Sequence, residues 1–344
     1  MKKEDLYQLK THPSWCLRPF TLADAPAVVE IMRASSLANL GYADVDLEEM
    51  LSDWTAPGVD LLETARVLVD EQGQIIGYCD IWDSEAPHVT KWCWVDIHPD
   101  RWEDAVALEL LGWSEQAARA RMHLAPDGAR VILGYGLNHR QERSRCMLEA
   151  ASFELVRHYY RMQIELDQQP AQPALNGFAV RPMRYPDEFP MAVNAIQEGF
   201  RDHWGYIEHD EQENLAHWQH YVDNSLFFDP SLWFFAFTGE QLAGLCFCKA
   251  GISEDPELGW VNQLAVLRSY RRRGLGKALL QHAFFELYQR GRRKVALGVD
   301  ATSLTNATHL YESAGMRVVR QYDTYHKELR PGKDLSTQEL DNTE

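Results

Sequence analysis

Val261-Asn-Gln-Leu-Ala-Val-Leu-Arg-Ser-Tyr-Arg-Arg-Arg-Gly-Leu-Gly-Lys277, followed by Ala278-Leu279-Leu280, decides how this chain is read. Its first part alternates and is rich in branched residues, as a buried strand is, whereas residues 277–289 repeat apolar side chains at helical spacing. A strand therefore passes into a helix through an Arg/Gly turn. Gly274 and Gly276 remove side chains where backbone must approach a ligand, and the first N–H groups of a helix have no acceptor inside it. Those donors, with Leu275 between the glycines, the helix dipole and the charges of Arg271, Arg272, Arg273 and Lys277, favour a bound diphosphate.

Arg271-x-x-Gly274-x-Gly276 after a strand resembles the acyl-coenzyme-A motif of the GNAT N-acetyltransferase superfamily, Gln/Arg-x-x-Gly-x-Gly/Ala. Downstream, residues 294–299 read as a strand and Ala307-Thr-His-Leu-Tyr-Glu-Ser-Ala-Gly-Met316 as a helix closed by a glycine cap. Ala-x-x-Leu-Tyr-Glu-x-x-Gly-Met is similar to the second signature of that superfamily, in which the tyrosine faces the thioester sulfur. The resemblance covers residues 178–329 and implies acetyl-CoA as co-substrate with no metal. It also implies an oxyanion contact from the strand backbone at Leu264, Ala265 and Val266. One position departs from the pattern: the asparagine that holds the pantetheine arm would fall at Leu304, and Ser303, Thr305 or Asn306 stands in for it.

At 344 residues the chain accommodates two ordinary domains, and 45% apolar with 25% charged residues is a globular composition. A formal charge of −17 opposes general binding to nucleic acid or anionic membranes. No apolar run approaches the ~20 residues that span a bilayer, and the N-terminus lacks the apolar core of a signal peptide, so a cytoplasmic protein is expected. The six cysteines read as reduced, mostly buried thiols; Cys246 and Cys248 have no second ligand pair at metal-binding spacing.

Residues 168–177, containing Gln168-Gln-Pro-Ala-Gln-Pro173, have linker chemistry, and after them the order of elements starts again. Val180-Arg-Pro182 echoes Leu17-Arg-Pro19, Gly244 matches Gly77, and Glu312-Ser-Ala-Gly-Met316 matches Glu149-Ala-Ala-Ser-Phe153. Both halves close alike, from Val156-Arg157 to Glu165-Leu166 and from Val319-Arg320 to Glu328-Leu329. This is an internal duplication. The expected organisation is an extension (1–14), a degenerate domain (15–167), the linker (168–177), a catalytic domain (178–330) and a flexible tail (331–344). The fold class is α/β (α+β), with two tandem GNAT-like domains similar to mycothiol-synthase-like proteins, each a mixed, mostly antiparallel twisted sheet flanked by helices. The first copy offers Trp102-Glu-Asp-Ala-Val-Ala107 where the second has its Arg/Gly turn, and Leu148 where the second has Tyr311. Carboxylates repel a diphosphate, and leucine has no proton to give.

Acyl transfer to an amine needs a neutral nucleophile, a donor for the oxyanion and a proton for the leaving thiolate. Tyr311 is the candidate acid; the competing reading is an aromatic ring packed in the core. For the base, Glu257 just before the strand and His203 in the Arg201-Asp202-His203-Trp204 run are both candidates, the first against the plainer reading of an exposed turn carboxylate. Residues 200–228 are rich in Trp, Tyr and His and either line an acceptor cleft or pack against the first domain. The expectation is a direct transfer of acetyl from acetyl-CoA to a small-molecule amine in a monomer or homodimer. The alternative is a non-catalytic acyl-CoA sensor or protein-interaction module.

Overall fold

The computed structural model describes residues 6–43, 45–175 and 177–339. In chain order the first half contains β1 (Tyr7–Gln8), β2 (Cys16–Pro19), α1 (Ala25–Leu40), α2 (Leu47–Trp54), α3 (Leu61–Thr64), β3 (Ala65–Val69), β4 (Ile75–Trp82), β5 (Thr90–Ile97), α4 (Asp104–Ala120), β6 (Val131–Asn138), α5 (Glu142–Ala150) and β7 (Glu154–Glu165). The second contains β8 (Ala179–Pro182), α6 (Phe189–Phe200), α7 (Glu211–Asn224), β9 (Trp233–Thr238), β10 (Gln241–Lys249), β11 (Leu258–Val266), α8 (Leu275–Gln289), β12 (Lys294–Asp300), α9 (Ala307–Ser313) and β13 (Arg317–Arg330).

These elements form two compact units that do not follow the expected cut: residues 1–156 with 322–335, and residues 157–321 with 336–344. In the first unit the strands run β1-β2-β3-β4-β5-β6-β13, and in the second β7-β12-β11-β10-β9-β8. The closing strand of each half has crossed over. Tyr325 of β13 pairs with Tyr135 of β6, and Met162 of β7 pairs with Leu297 of β12, both antiparallel. The expected boundaries 15–167 and 178–330 therefore separate each sheet from one of its own strands. Residues 6–14, the described part of the expected extension, are also built into the unit: Tyr7 pairs with Leu17, Leu9 is buried, and Glu109 accepts the Lys10 and Thr11 amides at 2.7 and 3.0 Å. The tail expected at 331–344 is hydrogen-bonded as far as Gln338, and residues 340–344 lie outside the described part.

Within each unit the duplication is physical. Arg18 pairs with Asp24 and Arg181 with Glu188, each at 2.7 Å, and each arginine leads its strand into the first helix of its half. Gly77 sits opposite Ile97 and Gly244 opposite Val266; a Cβ on either would press on the neighbouring strand's carbonyl, at 3.1 and 2.7 Å. In both units one strand pair is parallel, β5 with β6 and β11 with β12, and the other pairings are antiparallel. The second unit's sheet carries apolar layers on both faces. Leu279, Phe284 and Leu287 of α8 pack on Phe234, Cys246 and Val295, while Val193 and Ile196 of α6 pack on Trp233, Phe235 and Phe247. Full burial of such a side chain is worth about 1.5–3 kcal/mol over exposure.

Candidate active site

The site begins where two strands part. β11 and β12 pair in parallel from Leu258 with Lys294 to Val261 with Leu297, and there the ladder stops, although β11 continues to Val266 and β12 to Asp300. One extra residue, Asn262, bulges on the other side of β11, since Phe247 faces Gln263 while Cys248 faces Val261. A bulge bends and twists its strand, which turns the end of β11 away from β12. The gap is a cavity of about 210 Å³. Asn262, Leu264 and residues 297–300 line its strand walls.

Its remaining walls come from α9 and the loop before it, from the end of α6 and the segment after it, and from β7. Tyr311 of α9 is 9% exposed, and burial pushes its phenol well above the usual value. No hydrogen-bond partner for that hydroxyl occurs among the described residues. Phe200, His203 and Trp204 come from the end of α6 and the segment after it, with the His203 ring 4.3 Å from that of Phe200. Burial first, and the nearby Arg271 charge second, hold the His203 imidazole below its ordinary value. Tyr159 reaches the cavity from β7, the strand supplied by the other half of the chain. No motif pointed to Tyr159, because its place depends on which sheet that strand joins.

The turn after β11 has the expected form. Gly274 caps α8 with a left-handed φ of 78°, and Arg272 also has positive φ, 61°. Gly276 serves contact: a Cβ there would lie 3.1 Å from Leu310 of α9. The first backbone hydrogen bond of α8 runs from the Ala278 N–H to Gly274 O, and among the described residues no acceptor meets the N–H groups from Arg272 to Lys277. Successive free amides at a helix start form a cradle for an anion.

The structure divides the basic residues differently from the sequence reading. Arg271 points inward, donating to the Asp202 carboxylate, to Val266 O at 3.0 Å and to Gly199 O at 3.4 Å. Arg268 also holds Asp202, at 2.9 Å. Lys277 Nζ donates to Ser313 O at the end of α9 at 2.9 Å. Arg272 and Arg273 remain exposed on the turn, Arg273 over the Tyr270 ring at 5.6 Å. Arg271 and Lys277 thus brace the turn and α9.

Two further sequence candidates stand apart from the cavity. Glu257 is exposed on the turn before β11 and is not part of the cavity wall; the half-buried carboxylate nearby is Glu254, held by Arg161 at 2.9 Å and Arg320 at 2.6 Å. Asn306 is exposed at the start of α9 with φ 57°, whereas Ser303 and Leu304 face the cavity. Of the aromatic run at 200–228, Trp204 lines the cavity, while Trp218 packs edge-on against Trp233 and Tyr221 lies beneath Lys249. Leu264 lines the cavity; Ala265 is buried against Gly199 and pairs with Leu245, and Val266 pairs with Gly244.

The first unit has the same parting of strands but fills it. β5 and β6 pair from Thr90 with Ile132 to Trp92 with Gly134, then separate without a bulge in β5. Val95, which by register corresponds to Leu264, is occupied: the Tyr135 hydroxyl accepts from its N–H at 3.3 Å and donates to its carbonyl at 3.2 Å. Glu103 caps α4 where Gly274 caps α8.

The sequence matches the acetyltransferase (GNAT) family over residues 193–316. It is 28% identical over 154 residues to N-alpha-acetyltransferase 30 of Xenopus laevis, a match spanning 43% of this chain and about half (51%) of that protein. It is 28% identical over 262 residues to the mycothiol acetyltransferase of Streptomyces scabiei, covering 74% of this chain and 77% of that one. Among solved structures, a GCN5-related N-acetyltransferase from Sphaerobacter thermophilus superposes with a TM-score of 0.77 and 30% identity, covering 96% of this chain and 100% of that one. A tandem GNAT protein from the clavulanic acid biosynthesis pathway shares the fold at 15% identity and a TM-score of 0.66, over 93% of this chain and 100% of that one. Agreement at 30% identity along both whole chains joins the parted strands, the glycine turn and the tyrosine helix in one conclusion: the chain belongs to the GNAT acetyltransferases.

Proposed function

We propose that the protein transfers an acyl group, acetyl in the simplest case, from acyl-CoA to a primary amine of a small molecule. The reaction takes place in the second unit, by direct attack and without a covalent enzyme intermediate. The observation that carries this reading is the double role of α9, whose Tyr311 sets a buried, unpartnered phenol in the cavity wall while its Leu310 packs against Gly276 of the open amide turn at 272–277. The turn suits the diphosphate of coenzyme A, and Arg272 and Arg273 add charge at its rim. The β11 backbone from Leu264 to Val266, past its last β12 partner, offers an amide to the thioester oxygen as it becomes an oxyanion.

His203 accepts the amine proton. Its lowered pKa keeps the imidazole neutral at pH 7, the form a base needs. Tyr311 serves the leaving thiolate: a phenol held above its usual value keeps its proton until negative charge develops on sulfur, and then donates to it. The first unit acts as a structural partner, since its strand gap is filled by Tyr135 and its helix opens on carboxylates.

The test is to incubate the chain with acetyl-CoA and a panel of small primary amines and to follow free thiol. Amine-dependent release, lost on Tyr311→Phe, is expected. Tight acetyl-CoA binding with no release for any amine would replace the enzyme by a sensor.

A further inference from the structure

We infer that Ser336–Gln338 is a positioning strap for the cavity wall that carries His203 and Trp204, an inference that rests on the proposed reading of that cavity. The wall is the irregular segment between α6 and α7. It has no strand or helix to hold it, and Gly205 turns it with φ 77°.

The strap supplies what is missing. Gly205 N–H donates to Thr337 O and Thr337 N–H donates to Tyr206 O, each at 2.8 Å, so both backbone groups of Thr337 are bonded to the segment. The Thr337 hydroxyl donates to Arg201 O at 3.1 Å. Trp204 Nε1 donates to Gln338 Oε1 at 2.9 Å, and Gln338 Nε2 donates to Ser336 Oγ at 2.7 Å, which fixes which end of the amide faces the indole. The bonds fall on residues 201, 204, 205 and 206, on both sides of the cavity residue His203.

The other face of the same segment is tied to the anion turn through Asp202, held by Arg268 and Arg271, and the Arg157 guanidinium lies over the Trp204 ring at 4.7 Å. The wall is thus fixed from the cofactor side by ion pairs and from the acceptor side by the strap. Side chains that must meet a reacting amine lose rate steeply when displaced by an ångström. The strap therefore acts on acceptor binding and proton removal, whereas the 272–277 amides hold their place without it.

The test compares the full chain with a chain ending at Leu335 and with Thr337→Pro, which deletes the Thr337 N–H and hydroxyl donors. Hydrogen exchange of the peptide containing 199–206 is measured in each, together with acetyl-CoA affinity and the KM and kcat for an amine found by thiol release. Loss of protection at Gly205 in both variants, a rise in amine KM of about tenfold and acetyl-CoA affinity within about twofold are expected. Gln338→Glu, which keeps an oxygen for the Trp204 indole, should recover most of what Gln338→Leu loses. Unchanged exchange and unchanged KM in the shortened chain overturn the strap, as does an equal loss of cofactor affinity, which marks general unfolding. If the full chain releases no thiol with any amine, the enzymatic reading fails by itself, and Gly205 exchange still decides the strap.

Discussion

At the scale of single residues, the proposed chemistry reduces to where two protons reside. Tyr311 keeps its proton because a phenolate in an apolar pocket is costly, and His203 stays free of one because burial and Arg271 both oppose the imidazolium. Tyr311→Phe keeps the ring and deletes the donor. It should lower kcat by about 10²-fold or more while acetyl-CoA affinity changes little, as read by thiol release and a binding titration. A variant with wild-type kcat would return Tyr311 to the packed core. The sign for His203 follows from its proposed role: a base works when neutral, so activity should fall as the pH drops through its pKa. Because that pKa is lowered, the acid limb of kcat/KM should lie below pH 6.5 and disappear in His203→Gln. A limb that persists in that variant would assign the base to another group.

At the scale of elements, the turn between β11 and α8 shows what a sequence can and cannot display. Gly274 and Gly276 were legible because each answers a local demand, a left-handed cap and a close approach to Leu310. The direction of Arg271 was not, since its carboxylate partner Asp202 lies 69 residues earlier and no periodicity encodes that choice. For the same reason the sequence did not show that Glu257 lies outside the cavity wall, while the Arg161–Glu254–Arg320 group pairs its charges nearby. The difference among the arginines has a measurable consequence. Arg271→Gln leaves Asp202 half-neutralised and frees Val266 O and Gly199 O, so it should cost about 1–3 kcal/mol in denaturant unfolding as well as weakening acetyl-CoA. Arg272→Gln and Arg273→Gln should weaken acetyl-CoA in a salt-dependent way and leave the unfolding midpoint in place. Equal stability loss for all three would remove the distinction.

At the scale of the whole molecule, the duplication was legible and the exchange of its closing strands was not. The two segments, Val156-Arg157 to Glu165-Leu166 and Val319-Arg320 to Glu328-Leu329, carry similar patterns, so by pattern each suits either sheet. Specific partners decide between them. Lys327 meets Glu115 at 2.6 Å and Arg130 meets Glu328 at 2.8 Å in the first unit, whereas Arg157 meets Asp300 and Arg161 meets Glu254, both at 2.9 Å, in the second. A fragment of residues 178–344, cut where the linker suggests, lacks β7. Its β12 would present an unpaired edge to solvent, Asp300 and Glu254 would each lose an arginine, and the cavity would lose Tyr159. Such a fragment should aggregate or unfold without a cooperative transition, and adding the separately produced fragment 1–177 should restore both a sharp transition and thiol release. If 178–344 folds cooperatively and turns over by itself, β7 is dispensable: β13 can then return to the half that encodes it, and the exchange has no hold on the site.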